Sequence, residues 1–241
     1  MEDYSKLITN LINEVEEKEL DNIKKASKIM FDAMKNELLV HVFATGHSHM
    51  FAEELFYRAG GLVQINPILI PSLMQHVGAI TSTKLEREAG IAKKIFDELR
   101  LKDHEPFIIV SNSGINSVPV EFANIVKENN HPLIVITSMK MTLSQNPRNN
   151  LNKKLYEFGD VVIDNHTPIG DGLIETKYGR IGAASSIIGN YLAQRLVIEV
   201  VKLYEEKGLI PPIYISANLP NGDEHNLELL KKYQDRIKPL H

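Results

Sequence analysis

Three short stretches of this 241-residue chain place hydroxyls and glycine directly after an apolar run. They are Thr45-Gly46-His47-Ser48, Ser111-Asn112-Ser113-Gly114 and Thr137-Ser138. Small side chains let a backbone close around an anion, and the N–H groups of a turn that enters a helix point at it. Serine and threonine hydroxyls add donors for a phosphate oxygen. Ser111 and Ser113 bracket one residue of a tight turn, so both can address one phosphate. A single loop of this kind is an ordinary turn. Three at successive strand ends describe a shared site for a phosphate or polar ligand. Neither G-x-G-x-x-G nor G-x-x-x-x-G-K-[ST] occurs, so dinucleotide and nucleoside-triphosphate binding lose their usual support.

Such loops need a sheet to hold them. Leu38–Thr45 is a continuous apolar run of strand length, and Phe107–Val110, Leu133–Ile136 and Val161–Asp164 repeat the pattern. Leu62–Ile65 is a further strand candidate. Helical periodicity separates these runs. A helix is expected from Ser48 through MFAEELFYRAG, another over KLEREAGIAKKIFDELR, and a third over SVPVEFANIVKENN. Strands apolar on both faces and alternating with helices predict a parallel sheet covered on both sides. Residues 4–35 form one long amphipathic helix or a helical hairpin. Ser185–Lys207 is a long helix uncharged before Arg195, hence expected to be buried over its first half. A final charged helix ends near Lys238. The expected organisation is a single domain over 1–241, with a helical N-terminal extension (1–37), an αβα core (38–208) and a C-terminal segment with helix (209–241).

Composition narrows the function classes. The chain is 43% apolar and 24% charged with a formal net charge of −4, so no nucleic-acid footprint or membrane-surface patch is expected. No apolar run approaches the ~20 residues that span a bilayer. The absence of cysteine rules out disulfides and thiolate chemistry and fits a cytoplasmic location. The opening residues carry acids and no apolar signal-peptide core.

The ordered set strand–T-G-x-S–helix, strand–S-x-S-G–helix, strand–T-S resembles the sugar isomerase (SIS) domain family over residues 38–205. The strings ATGHSHMFAEELFYRAGG, HVGAITSTKLE, SNSGINSVP and SANLPNGDEHN resemble a bacterial subgroup of that family read as phosphosugar isomerases. The resemblance implies a three-layer αβα sandwich around a five-stranded parallel sheet of SIS/flavodoxin-like type, assembled as a homodimer or homotetramer. It implies a small-molecule sugar phosphate as ligand, with the phosphate held by Ser48, Ser111 and Ser113 and no cofactor. Most members carry serine or threonine two positions beyond the glycine. This chain has Asn116 there, whose amide still donates.

The same resemblance places a catalytic glutamate in the pattern F-A-x-E-L, here Phe51-Ala52-Glu53-Glu54-Leu55, and so assigns the base of an aldose–ketose isomerisation to Glu54. The expected reaction is proton transfer through an enediol. A lyase or etherase beginning with the same proton abstraction, or a non-catalytic sugar-phosphate sensor, are the alternatives. The histidine that phosphoheptose isomerase carries on the late helix within Q-E-x-H has no counterpart in Ser185–Leu192. The second acid or base is therefore expected from His225, in NGDEHN, or from His76; Asp223 is alternatively the N-cap of the last helix. His47 and His49 are spaced as some zinc ligands are, but one falls in a loop and the other in a helical turn, and no metal is expected. His41, His104, His131, His166 and His241 have no constellation around them in the sequence.

Overall fold

The computed structural model describes residues 3–240. Five parallel strands form one sheet: β1 (Val40–Ala44), β2 (Ile65–Ile68), β3 (Phe107–Val110), β4 (Leu133–Thr137) and β5 (Val161–Asp164), in the order β2-β1-β3-β4-β5. The first four are buried at every position, as continuous apolar runs in a doubly covered parallel sheet require. Side chains alternate between two cores. Val40, Val42, Ala44, Ile108 and Val110 face one, while Phe43, Phe107 and Ile109 face the other.

The first core is roofed by α1 (Tyr4–Met34), α2 (Met50–Leu55) and α7 (Ser185–Glu206). The N-terminal extension is a single helix, not a hairpin. Leu11, Val15, Ile23, Ala26 and Met30 form its buried stripe, and Glu16 accepts hydrogen bonds from Tyr191 Oη and Arg195 Nε, each at 2.5 Å, on α7. The second core lies under α4 (Ile91–Asp97) and α5 (Ser117–Glu128). Helices on both faces of the sheet give the three-layer sandwich.

Several boundaries differ from expectation for identifiable reasons. The helix expected over KLEREAGIAKKIFDELR is two: α3 (Gln75–Leu85) stops before Gly90, whose φ of +82° no right-handed helix accommodates, and α4 restarts after it. The helix after Ser48 opens as a 3-10 turn, Gly46–His49, and ends at Leu55 because Phe56 is extended. Leu62 and Val63 do not join the sheet. They pair with Ile213 and Pro212 of the C-terminal segment, and the edge strand begins at Ile65 with Pro67 tolerated there. A short α6 (Met139–Leu143) follows β4. Between β5 and α7 lies an antiparallel hairpin, β6 (Gly172–Thr176) and β7 (Gly179–Ala183). The last helix, α8 (Gly222–Tyr233), starts after Asn221 rather than Asp223 and gives way to 3-10 turns.

Histidines without a constellation in the sequence acquire one in space. His41 lies on β1 inside a fully buried network: Asn66 Nδ2 donates to its Nδ1 at 2.8 Å, so its Nε2–H donates to Glu105 at 2.9 Å. Glu105 also accepts from the backbone N–H of Leu39 and Lys102 and from Arg236, close to the end of the chain. Burial opposes the charge of Glu105, but the bonds from His41, Leu39 and Lys102 outweigh it and hold its pKa at about 2. His166, beyond β5, donates or accepts at 3.0 Å with Glu19 of α1 and lies near Glu14 and Asp164. The bond to Glu19 and these carboxylates raise its pKa. Among the described residues no helix is long and apolar enough to cross a membrane.

Candidate functional site

The strand order reverses its winding between β1 and β3, and the helices that follow these strands diverge there, leaving a crevice at the carboxyl ends. A cleft of about 340 Å³ occupies that point. His47 and Ser48 line it beyond β1, Asn112 beyond β3 and Asn165 beyond β5. Ser185, Ser186, Gly189 and Asn190 line it from the first turns of α7, and Met50, Phe51, Val110 and Ile136 supply its apolar surface. No lysine, arginine, aspartate or glutamate is among these residues, and His47 is their single titratable group.

The loop beyond β3 is built to expose donors. Gly114 N donates to Ser111 Oγ at 3.2 Å, closing the turn, and Gly114 has a φ of +61°. The carbonyls of Asn112 and Ser113 are taken by Ser138 N and by Thr142 Oγ1. Among the described residues the N–H groups of Asn112, Ser113 and Ile115 meet no acceptor, nor do the hydroxyls of Ser48, Ser113 and Ser186 have a partner. Unpaired N–H groups in a turn that runs into α5 form an anion cradle.

The other predicted residues brace this loop or lie apart from it. Thr137 Oγ1 pairs with Thr142 Oγ1 at 2.9 Å, and Ser138 caps α6 while donating to the carbonyl of Thr167 at 2.7 Å. Both are buried with their hydroxyls committed internally. Asn116 donates to Glu86 at 3.0 Å. Gly46 takes a φ of +57°, which admits the 3-10 turn carrying His47 and Ser48. Glu54 does not line the cleft: its Oε1 accepts from Arg58 and, at 2.7 Å, from Gln194 of α7, one helical turn beyond Asn190. His76 is exposed on α3, its ring centred 6.3 Å from that of His49. His49 itself is engaged by Gly46 O and lies 3.5 Å from Glu53. His225 bonds Ile213 O at 3.0 Å and sits with the C-terminal segment against the amino ends of β1 and β2. That is the opposite end of the sheet from the cleft, so within one chain His225 is not a site residue. Among the described residues no group of three His, Cys, Asp or Glu is placed to hold a metal ion.

Asn165, Ser185, Ser186 and Asn190 had no motif to announce them. The uncharged stretch from Ser185 to Gln194 signals burial, yet part of that face forms the wall of the cleft. The start of α7 is capped by Asp171, whose Oδ1 accepts from Ala184 N and Ser185 N and whose Oδ2 accepts from Ser185 Oγ. A carboxylate thus already satisfies these donors, and the free ones belong to the 111–115 loop.

The SIS domain family model matches residues 3–138. A UPF0309 protein of Geobacillus thermodenitrificans is 36% identical over 242 residues, spanning 100% of this chain and 97% of that protein. The chain belongs to the SIS domain family. Among solved structures, this SIS domain chain is similar to a phosphoheptose isomerase from Francisella tularensis, with a TM-score of 0.56 and 11% identity over 83% of this chain and 95% of that one. It is also similar to an E. coli CFT073 protein in complex with a sugar phosphate, with a TM-score of 0.51 and 13% identity over 84% and 88% of the two chains. Likeness at such identity speaks for the SIS fold.

The loop geometry makes Gly114 irreplaceable. A Cβ there would meet Thr137 Oγ1 and Thr142 Oγ1 at 3.0 Å, on a backbone conformation that L-residues adopt at a cost of about 1–2 kcal/mol. Gly114→Ala is expected to lower unfolding stability by about 2 kcal/mol or more, read as a shifted urea midpoint at unchanged slope.

Proposed function

We propose that this SIS domain protein binds a phosphorylated sugar in the cleft, with the phosphate on the 111–115 loop and Ser48, and that it interconverts aldose and ketose forms through an enediol. The observation that carries the binding reading is the cradle of unpaired N–H groups and free hydroxyls at the switch point, opening on a cleft without charged side chains. An anion is then held by neutral donors and the start of α5. The complex of the E. coli CFT073 protein, which has a similar fold, supports a sugar phosphate as the ligand class. For the reaction, Glu54 is the proposed base, one helical turn from the cleft wall, and His47 is the titratable group nearest to serve an oxygen. His225 would act only in the cleft of a second copy.

A specific contact favours a second reading. Arg58 and Gln194 both hold the one carboxylate oxygen of Glu54, and a sensor of sugar phosphates needs the loop and not the base. Incubation with a panel of sugar phosphates in D2O separates the readings. Deuterium at C1 or C2 supports the enediol, with product analysis distinguishing isomer from eliminated fragment. Tight binding without exchange leaves the sensor. If no sugar phosphate binds, both readings fail.

Ser113→Ala is expected to weaken phosphosugar binding roughly 10- to 100-fold, since a hydrogen bond to a charged group is worth about 1.5–3 kcal/mol. Folding stability should move by less than about 0.5 kcal/mol, because the hydroxyl has no partner within the chain. Calorimetric titration showing unchanged affinity would remove Ser113 from the phosphate site.

A further inference from the structure

Asn190 lines the cleft from α7, and its Oδ1 is shut off from solvent with no hydrogen-bond partner. A buried amide oxygen left unpaired is unfavourable, and native proteins keep few of them. Opposite it, beyond β3, the amide of Asn112 is locked by a relay. Thr167 N donates to Asn165 Oδ1 at 3.0 Å, which fixes that amide so that Asn165 Nδ2 donates to Asn112 Oδ1 at 2.8 Å. Asn112 is thereby left with Nδ2 as its free group. The cleft therefore presents a fixed amide donor on one side and an amide acceptor that lacks a donor on the other. No carboxylate lines it to compensate an ammonium, and no lysine or arginine to compensate a second acid.

We propose that Asn190 is a specificity-determining residue whose Oδ1 receives a hydrogen bond from an uncharged donor of the sugar, a hydroxyl or an acetamido N–H, so that the cleft selects neutral sugar phosphates over amino-sugar phosphates. This rests on the sugar-phosphate reading of the same cleft and extends it to the part of the ligand beyond the phosphate. The phosphate sits on the 111–115 loop, and Asn190 does not contribute to holding it.

The test titrates the full-length protein and Asn190→Ala by calorimetry with inorganic phosphate, glucose 6-phosphate, N-acetylglucosamine 6-phosphate and glucosamine 6-phosphate. The wild type is expected to bind glucose 6-phosphate or its N-acetylated counterpart at least about tenfold more tightly than glucosamine 6-phosphate; which of the two wins tells hydroxyl from acetamido donor. Asn190→Ala should lose about tenfold in affinity for the favoured sugar phosphate, the scale of one neutral hydrogen bond, and should keep its affinity for inorganic phosphate. The near-isosteric Asn190→Leu, without ligand, should melt no lower than the wild type, because it removes an unpaired polar atom. A preference for glucosamine 6-phosphate, unchanged sugar-phosphate affinity in Asn190→Ala, a parallel loss for inorganic phosphate, or a destabilised Asn190→Leu would each overturn the assignment. Wild-type protein that binds inorganic phosphate but none of the three sugars would instead overturn the sugar-phosphate reading itself, and the assignment with it.

Discussion

Glu105→Ala is expected to destabilise the protein by about 3–5 kcal/mol, the usual loss when one partner of a buried ionic network is removed. The carboxylate is fully buried and receives His41 Nε2, the N–H groups of Leu39 and Lys102, and the guanidinium of Arg236. Truncation leaves four donors without their acceptor, one of them a cation whose Nη1 already lacks a partner. Equilibrium denaturation in urea measures the effect; a loss below about 1 kcal/mol would mean that water reaches the network. The same group makes stability pH-dependent. Its pKa is lowered in the folded state from an ordinary 4.5 to about 2, so its contribution is complete above about pH 4.5 and is lost as pH falls toward 2. His41 adds to this from higher pH. Burial lowers its pKa below 6.5, so folding is favoured where the ring is neutral and weakens as pH drops below that value. His166 has the opposite sign: its raised pKa stabilises below about pH 6.5 and the contribution fades as pH rises through the folded value. An acid limb that flattens in Glu105→Gln would identify the carboxylate as its source.

Glu54→Gln is expected to lower the rate of deuterium incorporation by about 10²- to 10⁴-fold, the range supplied by a positioned general base. Sugar-phosphate affinity should stay within a few-fold, since Glu54 does not line the cleft. The amide keeps the shape of the carboxylate and still accepts from Gln194, so packing between α2 and α7 survives. Arg58 competes with any substrate proton for the same oxygen. Arg58→Ala should therefore raise, not lower, the exchange rate at saturating sugar phosphate. Lost binding with residual turnover in Glu54→Gln would mark the residue as a brace between two helices.

The strands and the loops at their ends were legible because a parallel sheet covered on both faces needs uninterrupted apolar runs, and FIIV and LIVIT are such runs. The Ser111–Gly114 loop stood out because glycine and small hydroxyl residues follow one of them directly. The division of labour within the loops was not legible. Ser111, Thr137 and Ser138 carry the same hydroxyl as Ser113, and only the fold shows that theirs are committed to Gly114, Thr142 and Thr167. Gly90 interrupts a helical pattern whose periodicity continues across it, so spacing alone joins α3 to α4. Residues of the cleft drawn from α7 were hidden for a different reason: an uncharged helix face reads as core whether it meets another helix or a ligand. Networks such as His41–Glu105–Arg236 join positions 64 and 131 residues apart, beyond any local pattern.

The carboxylate of Asp171 ties two pieces of structure to one event. Asp171 precedes β6, and Ala184 and Ser185, whose N–H groups it binds, follow β7, so the β6–β7 hairpin closes on the same bonds that begin α7. The hairpin and the first turn of the helix therefore open as one unit. Amide protons of Ala184 and Ser185 exchange with solvent at the frequency of hairpin opening, not at the slower rate of the helix interior. Because Ser185, Ser186 and Asn190 border the cleft, a ligand that holds them in place also slows that opening, and the hairpin reports occupancy of a cleft that its own strands do not line.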